Sequence, residues 1–328
     1  MRRTGAFMSR RRRTFLAATG ALGLAPAVLR AQSGPPPVRI LVGFAAGGTV
    51  DLTARAIAEA MRPLLARNVI VENRPGAAGR LVLEAVKASP PDGDTLMLVP
   101  HGPMTLFQWI YRQLRYDPVK DFSPVGRVCV IDYALATGPG TQARTLAEYI
   151  AWARTPGQRA AFGSPGAGTV PHFLGQGFGQ RSGIDLAHIA YKGAAPAMVD
   201  LMGGSISLVV SPLSDSVEQH RAGKARILAT TGSQRNPDLA EVPTLRDAGI
   251  DLVLDGWLGL YAPAGTPDTR VQQLFEALRA AVMTSEAALR RLTIRALPAG
   301  PAELARQRDV EARQWESLVK ASGFTPES

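Results

Sequence analysis

A thirty-residue stretch near the start of the chain, residues 38–67, constrains the fold more than any other. It opens with the run VRILV at 38–42, which is short, apolar and β-branched, as in buried parallel strands. Two glycines follow at 47 and 48, and glycine adopts a positive φ without steric cost. Apolar residues then recur at helical spacing, at Leu52, Ile57, Met61, Leu64 and Leu65. This order predicts a strand, a tight turn and a helix.

A turn of this kind can bind an anion. The first N–H groups of a helix lack partners within the helix, and the helix dipole makes that end positive. Thr49 or Asp51 can cap the predicted helix. No lysine follows the glycines as in a Walker loop, and the spacing is not G-x-G-x-x-G. The pattern fits either a ligand-binding turn or an ordinary connection between a strand and a helix.

Residues 1–31 are predicted to be an export signal. Arginines at 2–3 and 10–13 precede an apolar run through Ala27 that is too short to span a bilayer. The sequence RRTFL at 12–16 has the twin-arginine form, and an ordinary secretory signal with a basic start is the alternative. Cleavage is expected after Ala27 or Ala31. We expect a periplasmic mature protein that is exported by the twin-arginine route.

Removal of the signal changes the charge of the chain. Residues 1–31 hold seven arginines and no acid, so the formal net charge falls from +10 to +3. No Lys/Arg run remains, so a nucleic-acid partner is not supported. Cys129 is the only cysteine, which excludes an intrachain disulfide and indicates a buried thiol. The four histidines lack metal-ligand spacing, and Ser164 lacks the G-x-S-x-G pattern. We predict no metal, no cofactor and no catalytic residue.

Strand-like and helix-like segments alternate along the chain, which predicts an α/β fold with a mostly parallel sheet. Predicted strands cover 38–44, 68–72, 95–99, 123–135, 160–163, 187–191, 206–210, 227–230 and 252–261. Besides the helix after the first glycine turn and one that ends at Met202, predicted helices cover 80–87, 146–153, 170–178, 269–283 and 301–320.

The mature chain of about 297 residues is long for a single core and suggests two lobes. We assign 38–136 plus 253–328 to the first lobe and 137–252 to the second. A second glycine-rich turn, SPGAGT at 164–169, opens a helix in the second lobe. In open α/β sheets, ligands bind at such turns outside the carboxyl ends of strands. The turns at 45–51 and 164–169 therefore form one candidate site, in a cleft between the lobes.

Eight short motifs occur in order along the mature chain. They are FAAGGTVD (44–51), VENRPG (71–76), PDG (91–93), YDPVKDF (116–122), YKG (191–193), AGK (222–224), VPT (242–244) and APAGTP (262–267). In their order and spacing they resemble the Bug-type substrate-binding proteins of tripartite tricarboxylate transporters. No single motif is decisive, but the eight together are highly specific and cover essentially the whole mature chain.

The resemblance implies a two-lobed periplasmic receptor of the Venus-flytrap kind, type II-like, with a mostly parallel sheet in each lobe. Such a receptor captures a small carboxylate and hands it to a membrane permease with a large and a small subunit. We expect a monomer. Family members hold the carboxylate through backbone and hydroxyl donors and ordered water, which agrees with the anion site predicted from the first turn.

Carried over by position, the resemblance assigns ligand binding to both turns. The residues are Phe44, Gly47, Gly48, Thr49 and Asp51 in the first turn and Ser164, Gly166, Gly168 and Thr169 in the second. Tyr191 and Trp257 are candidate cleft aromatics, and a core role for each is an equal alternative. His101 lies in the sequence PHGP at 100–103, at a strand end that faces the predicted cleft.

Two departures from the family pattern bear on the ligand. The family usually has proline where Ala45 and Ala46 stand. An Asp commonly follows the strand predicted at 206–210, where it meets an amino or hydroxyl group of the ligand, and here that position is Ser211. The change weakens the case for amino-acid ligands. A simple or aromatic carboxylate is at least as well supported as an amino acid. Ser211 completes the set of candidate ligand-binding residues.

Two other functions could use the same cleft. A sensory receptor would present its ligand to a signalling partner rather than to a permease. An exported hydrolase or lyase would need a nucleophile or a general base, and no motif for either occurs in the sequence.

Overall fold

The strands and helices alternate as the sequence predicts, in a computed structural model that describes residues 35–322. The predicted export signal and its cleavage site lie outside the described residues. The strands are β1 Val38–Val42, β2 Val69–Asn73, β3 Thr95–Pro100, β4 Phe122–Thr137, β5 Ala161–Ser164, β6 Ala187–Ala190, β7 Leu208–Pro212, β8 Arg226–Thr230, β9 Asp255–Pro263 and β10 Arg295–Ala299.

The α-helices are α1 Thr49–Leu65, α2 Arg80–Lys87, α3 His101–Thr105, α4 Phe107–Ile110, α5 Leu146–Ala153, α6 Val170–Ser182, α7 Ala194–Met202, α8 Ser214–Arg221, α9 Asp268–Thr284, α10 Glu286–Arg291 and α11 Pro301–Ser322. Short 3₁₀ turns occupy Ala77–Gly79 and Pro237–Leu239. Within residues 35–322, no helix has both the length and the apolar character that crossing a membrane requires.

Two βαβαβ units form the outer parts of the sheet. In each unit the first strand lies between the other two, so that the strand orders are β2-β1-β3 and β6-β5-β7. The pairings of β1 with β2 and β3, and of β5 with β6 and β7, are parallel. Each glycine turn follows the central strand of its unit. The carboxyl ends of parallel strands meet at the same edge, which is where α/β sheets bind ligands.

The middle of the sheet is antiparallel, so the prediction of a mostly parallel sheet is wrong there. β4 pairs antiparallel with β9 and β10 over residues 122–132, and with β7 and β8 over residues 133–137. β9 also runs antiparallel to β3. The long strand β4 pairs with β7 of the second unit and with β9, which in turn pairs with β3 of the first unit. Antiparallel neighbours of this kind can be joined without a helical crossover. The predicted division into lobes at residues 136 and 253 stays a prediction.

The first helix packs on the sheet through the face that the sequence predicts. Ala54, Ile57 and Met61 are buried in the main core cluster together with the buried strands. Complete burial of a side chain such as Ile57 or Met61 contributes about 1.5–3 kcal/mol. Leu64, which belongs to the same apolar series, is instead 49% exposed. The helix ends one residue later, at Leu65, because Ala66 adopts a left-handed conformation with a φ of 49°.

Candidate functional site

A small cavity lies where the carboxyl ends of β1, β3, β5 and β7 converge, and its volume is about 50 Å³. By this measure a water molecule needs about 10–15 Å³, so the cavity is large enough for a small organic molecule. Its wall comes from both glycine turns, from β4 and β9, and from the start of α8. The lining residues are Phe44, Ala45, Gly48, Thr49, Val50, Pro100, Gly102, Pro103, Ile131, Tyr133, Pro165, Thr169, Val170, Pro171, Ala194, Pro212, Asp215 and Leu258.

Asp51 stabilises the first glycine turn from the side away from the cavity. Gly47 has a φ of 86°, which favours glycine, and its N–H donates to Oδ2 of Asp51 at 2.9 Å. Arg55 and Asn73 donate to the same carboxylate at 3.0 and 2.9 Å. Burial raises the pKa of Asp51, but these hydrogen bonds outweigh burial and hold the pKa below its usual value. Asp51 therefore shapes the turn and does not line the cavity.

The N-terminus of α1 binds a carboxylate of the protein itself. The backbone N–H and the hydroxyl of Thr49 both donate to Oδ1 of Asp215, each at 2.6 Å. The Oγ atoms of Thr49 and Ser214 are 2.5 Å apart. Burial raises the pKa of Asp215 to about 6, against the opposing effect of the hydrogen bonds from Thr49. The side chain of Asp215 from α8 therefore accepts hydrogen bonds at the helix N-terminus where the sequence predicted an anion site, and that site stays a prediction.

The second glycine turn is fastened by its own hydroxyl groups and by two histidines. Ser164 Oγ lies 2.7 Å from Nε2 of His188, and the hydroxyl of Thr169 donates to the carbonyl of Gly166 at 2.7 Å. The N–H of Gly168, whose φ is 73°, donates to Nδ1 of His172 at 3.1 Å. These contacts fix the loop at the start of α6. Among the candidates in this turn, Thr169 is the residue that lines the cavity.

The two histidines behind this turn stack on each other, with ring centroids 3.7 Å apart and an interplanar angle of 17°. Burial lowers the pKa of His172 to about 4. Burial, together with the neighbouring His172, lowers the pKa of His188 to about 4 as well. Both rings are therefore neutral at pH 7, and each can accept a hydrogen bond from the turn.

Each glycine turn touches a segment of the opposite βαβαβ unit. The N–H of Ala45, in the first turn, donates to the carbonyl of Lys192 at 3.1 Å. A Cβ added to Gly166 would lie 3.1 Å from the Cβ of Ala78. The two units are therefore in direct contact at both glycine turns.

A buried chain of polar groups reaches the cavity from the last helix. Glu311 on α11 lies 3.1 Å from Nδ1 of His101, and Nε2 of His101 lies 2.8 Å from the hydroxyl of Tyr133. Trp257 Nε1 donates to Glu311 at 2.7 Å. Burial raises the pKa of Glu311, but hydrogen bonds, led by that from His101, hold it below its usual value. Glu311 therefore remains an acceptor. Tyr133 is the member of this hydrogen-bonded series that lines the cavity.

The structure brings only part of the predicted set together. Four of the candidates line the cavity, namely Phe44, Gly48, Thr49 and Thr169. The others support it from behind or lie to one side: Gly47, Asp51, His101, Ser164, Gly166, Gly168, Tyr191, Ser211 and Trp257. The Tyr191 hydroxyl donates to Asp200 at 2.7 Å, Ser211 donates to the carbonyl of Pro212 at 3.2 Å, and Trp257 is 1% exposed.

Sequence reasoning missed the two titratable groups of the cavity wall, Tyr133 and Asp215. Tyr133 lies inside a long apolar strand, where nothing local distinguishes it from a core residue. Asp215 is in the first turn of α8, a helix that the apolar periodicity did not reveal. The pair Ser214-Asp215 was the available signal, because both residue types favour helix N-termini. Ser211 therefore does not mean that the cavity lacks an acid.

Residues 35–322 contain no group of three or more His, Cys, Asp or Glu side chains that could hold a metal ion. Cys129 is fully buried in β4, as its apolar neighbours indicate, and burial raises the pKa of its thiol to about 12.

Known proteins share both the sequence and the fold. The family model described as "Tripartite tricarboxylate transporter family receptor", TctC, matches residues 53–306. A UPF0065 protein encoded in the gbd 5' region of Cupriavidus necator is 36% identical over 272 residues, which are 81% of each chain.

Solved structures extend the match to the fold. The periplasmic binding protein BugD superposes with a TM-score of 0.85 at 30% identity, over 89% of this chain and 99% of BugD. An R. palustris protein solved with adipate superposes with a TM-score of 0.83 at 28% identity, over 89% of this chain and 99% of that protein. These likenesses confirm the α/β periplasmic-binding-protein fold and the Bug resemblance. The chain belongs to the TctC family of tripartite tricarboxylate transporter receptors.

Proposed function

We propose that this protein is an extracytoplasmic receptor that captures a small carboxylate in the cavity between the two glycine turns. The observation that carries the proposal is the position of the cavity, at the carboxyl ends of the central strands of both βαβαβ units. Loops from both sides contribute to its wall, so a bound ligand would hold them together. The relative solved with adipate supports a carboxylate as the ligand class.

The receptor would deliver its ligand to a permease with a large and a small membrane subunit. Membership of the TctC family supports this partnership. We further propose a monomeric, periplasmic protein, exported by the twin-arginine route through residues 1–31. The basic start and the RRTFL sequence at 12–16 support that route.

We infer capture without turnover. The Ser164–His188 pair resembles a nucleophile and a base, but neither residue belongs to the cavity wall. His188 also lacks the flanking acid that orients a catalytic histidine, since the interactions described for its ring are with Ser164 and with the rings of His172 and Phe162. The buried Cys129 thiol is equally remote from a ligand.

A thermal-shift screen of the mature chain tests the proposal. The panel pairs each small carboxylate with its uncharged amide, for example benzoate with benzamide and adipate with adipamide. A ligand at a hundred times its Kd stabilises the folded state by about 2.7 kcal/mol. At about 2–4 °C per kcal/mol for a chain of this size, the expected shift is several degrees for at least one carboxylate. Shifts confined to the amides, or seen with no member after refolding from denaturant, would contradict carboxylate capture.

A further inference from the structure

The polar side chains of the cavity wall are four: Thr49, Thr169, Tyr133 and Asp215. Their polar atoms make hydrogen bonds within the protein. The Thr49 hydroxyl donates to Asp215 at 2.6 Å, and the Thr169 hydroxyl donates to the carbonyl of Gly166 at 2.7 Å. Thus neither threonine offers its hydroxyl proton to a ligand in this arrangement.

The hydroxyl of Tyr133 is committed in the same way. Glu311 accepts a hydrogen bond, so Nδ1 of His101 carries the proton that is donated to it. On the other side of the ring, Nε2 of His101 lies 2.8 Å from the Tyr133 hydroxyl. The Tyr133 hydroxyl therefore already has a hydrogen-bond partner within the protein.

Asp215 contributes a hydrogen-bond acceptor. Both of the hydrogen bonds that it accepts from Thr49 go to Oδ1. Oδ2 is the oxygen that can take a proton while those bonds remain intact. None of the described lining residues is Lys, Arg or His, and most of the remaining wall is apolar. A ligand carboxylate would therefore meet a second carboxylate, without a cation between them, in a space only a few ångströms across.

We propose that the ligand is a monocarboxylic acid with an apolar body, and that its carboxylate binds by sharing one proton with Oδ2 of Asp215. The proton comes from solvent, and one O–H···O hydrogen bond joins the two carboxyl groups. A second carboxylate on the ligand would find no counter-charge in the cavity wall. This inference rests on the proposed function and narrows its ligand class.

Several charged groups on the elements around Asp215 have partners elsewhere in the protein. On α1, Asp51 is paired with Arg55, and on β4, Asp132 accepts from Asn236. On α7, Asp200 accepts from Tyr191. On α8 itself, His220 lies 3.6 Å from Glu241. The titratable groups that remain at the cavity are Asp215 and Tyr133, and burial raises the pKa of Tyr133 far above neutrality. Proton uptake near neutral pH is therefore assigned to Asp215.

Calorimetric titration with a panel of monocarboxylates, including benzoate and hexanoate, tests the inference on the mature chain. Titrations at pH 7.5 in phosphate and in Tris, whose ionisation heats differ, count the protons taken up on binding. We expect about one proton per ligand. The Kd should rise about tenfold per pH unit above pH 6 and level off below it. Terephthalate and adipate should bind at least tenfold more weakly than benzoate and hexanoate.

The variant Asp215→Asn imitates the protonated acid. Thr49 keeps the amide oxygen on its side, so the amide N–H groups are left to donate to the ligand. Monocarboxylate binding to this variant should be independent of pH, take up no proton, and be about tenfold tighter than wild type at pH 7.5. Asp185→Asn, which changes an exposed Asp away from the cavity wall, is the matched control and should behave as wild type.

The outcomes separate the two proposals. Dicarboxylates that bind as tightly as monocarboxylates, or binding with proton uptake that survives in Asp215→Asn, would overturn the shared proton and leave carboxylate capture standing. Failure of every carboxylate to bind both wild type and Asp215→Asn, between pH 5.5 and 7.5, would overturn the proposed function itself.

Discussion

Tyr133 and His101 meet at 2.8 Å across the wall of the cavity, with the phenol on β4 and the imidazole at the start of α3. Glu311 on α11 lies on the far side of the imidazole. The last helix of the chain is thereby joined to the ligand cavity through two side chains. This contact also affects what a ligand finds at that wall, because it engages the Tyr133 hydroxyl in a hydrogen bond within the protein.

Tyr133→Phe should destabilise the protein and alter ligand binding. The change leaves Nε2 of His101 buried without its partner, which costs about 1–3 kcal/mol. It also removes a polar hydroxyl from the cavity wall, so the affinity for the bound acid should change by threefold or more. Urea denaturation and calorimetric titration measure the two effects.

The matched control is Tyr149→Phe. The Tyr149 hydroxyl is buried and lies 3.0 Å from Ser207 Oγ, away from the cavity wall. It should show a similar loss of stability with unchanged affinity. Equal changes of affinity in both variants would contradict the placement of Tyr133 at the ligand.

Gly48→Val should weaken ligand binding by tenfold or more. A Cβ at this position would lie 3.6 Å from Oδ1 of Asp215, which is ordinary contact, but the two γ-methyl groups of valine need further space in the same corner. Gly48→Ala is therefore the control and should keep most of the affinity. A valine variant with wild-type affinity would remove the first turn from the site.

Gly168→Ala should disrupt the second turn. Its Cβ would lie 2.4 Å from the hydroxyl oxygen of Tyr111, and a φ of 73° is unfavourable for alanine. The free energy of unfolding should fall by about 2 kcal/mol or more. Gly157→Ala isolates the backbone term, because its φ is 90° with no atom within 4 Å of the added Cβ, and should cost about 1 kcal/mol. Equal losses in the two variants would contradict a steric conflict at Tyr111.

Acid should destabilise the protein through the stacked histidines. Burial lowers the folded pKa of His172 and His188 to about 4, whereas an unfolded histidine titrates at about 6.5. Between these values the unfolded chain binds more protons, so the free energy of unfolding falls as the pH falls from 6.5 to 4. The loss should be on the order of 2 kcal/mol per histidine.

Urea denaturation at pH 7 and pH 4.5 measures this loss. His172→Gln should reduce the pH dependence by about half, since it removes one of the two titrating rings. Tyr149→Phe, which loses a buried hydrogen bond but no group that titrates between pH 4 and 7, should leave the dependence unchanged. A wild-type pH dependence in His172→Gln would show that acid acts elsewhere.

Asp94→Asn should destabilise the first βαβαβ unit without affecting the cavity. Arg67 donates to both oxygens of Asp94 at 2.6 and 2.7 Å, and Arg270 donates at 3.1 Å. The Arg67 hydrogen bonds hold the pKa of Asp94 below its usual value, so their stabilisation is present at neutral pH and is lost below about pH 4.

The expected loss in Asp94→Asn is about 1–3 kcal/mol at pH 7, with unchanged ligand affinity, measured by urea denaturation and titration. Asp92→Asn, at an exposed turn position two residues earlier, is the control. A variant as stable as wild type at pH 7 would show that the ion pair contributes nothing net.

The sequence of this protein determined the local conformations and the family. The apolar run at 38–42, the glycines at 47 and 48 and the helical spacing after them predicted β1, the turn and α1, because backbone preferences and periodicity are properties of neighbouring residues. The short helices α8 and α10 lack a strong apolar period and were not predicted. β10 was also missed, since its pairing with β4 depends on residues more than 160 positions away.

Only the tertiary structure decided which residues form the cavity wall. Asp215 reaches Thr49 across 166 positions, and His101 reaches Glu311 across 210. Such contacts depend on how the two βαβαβ units pack around β4, and no local spacing encodes that packing. The glycine turns could be predicted because they depend on neighbouring residues. The contact of Asp215 with the first turn could not, because Asp215 belongs to a distant part of the sequence.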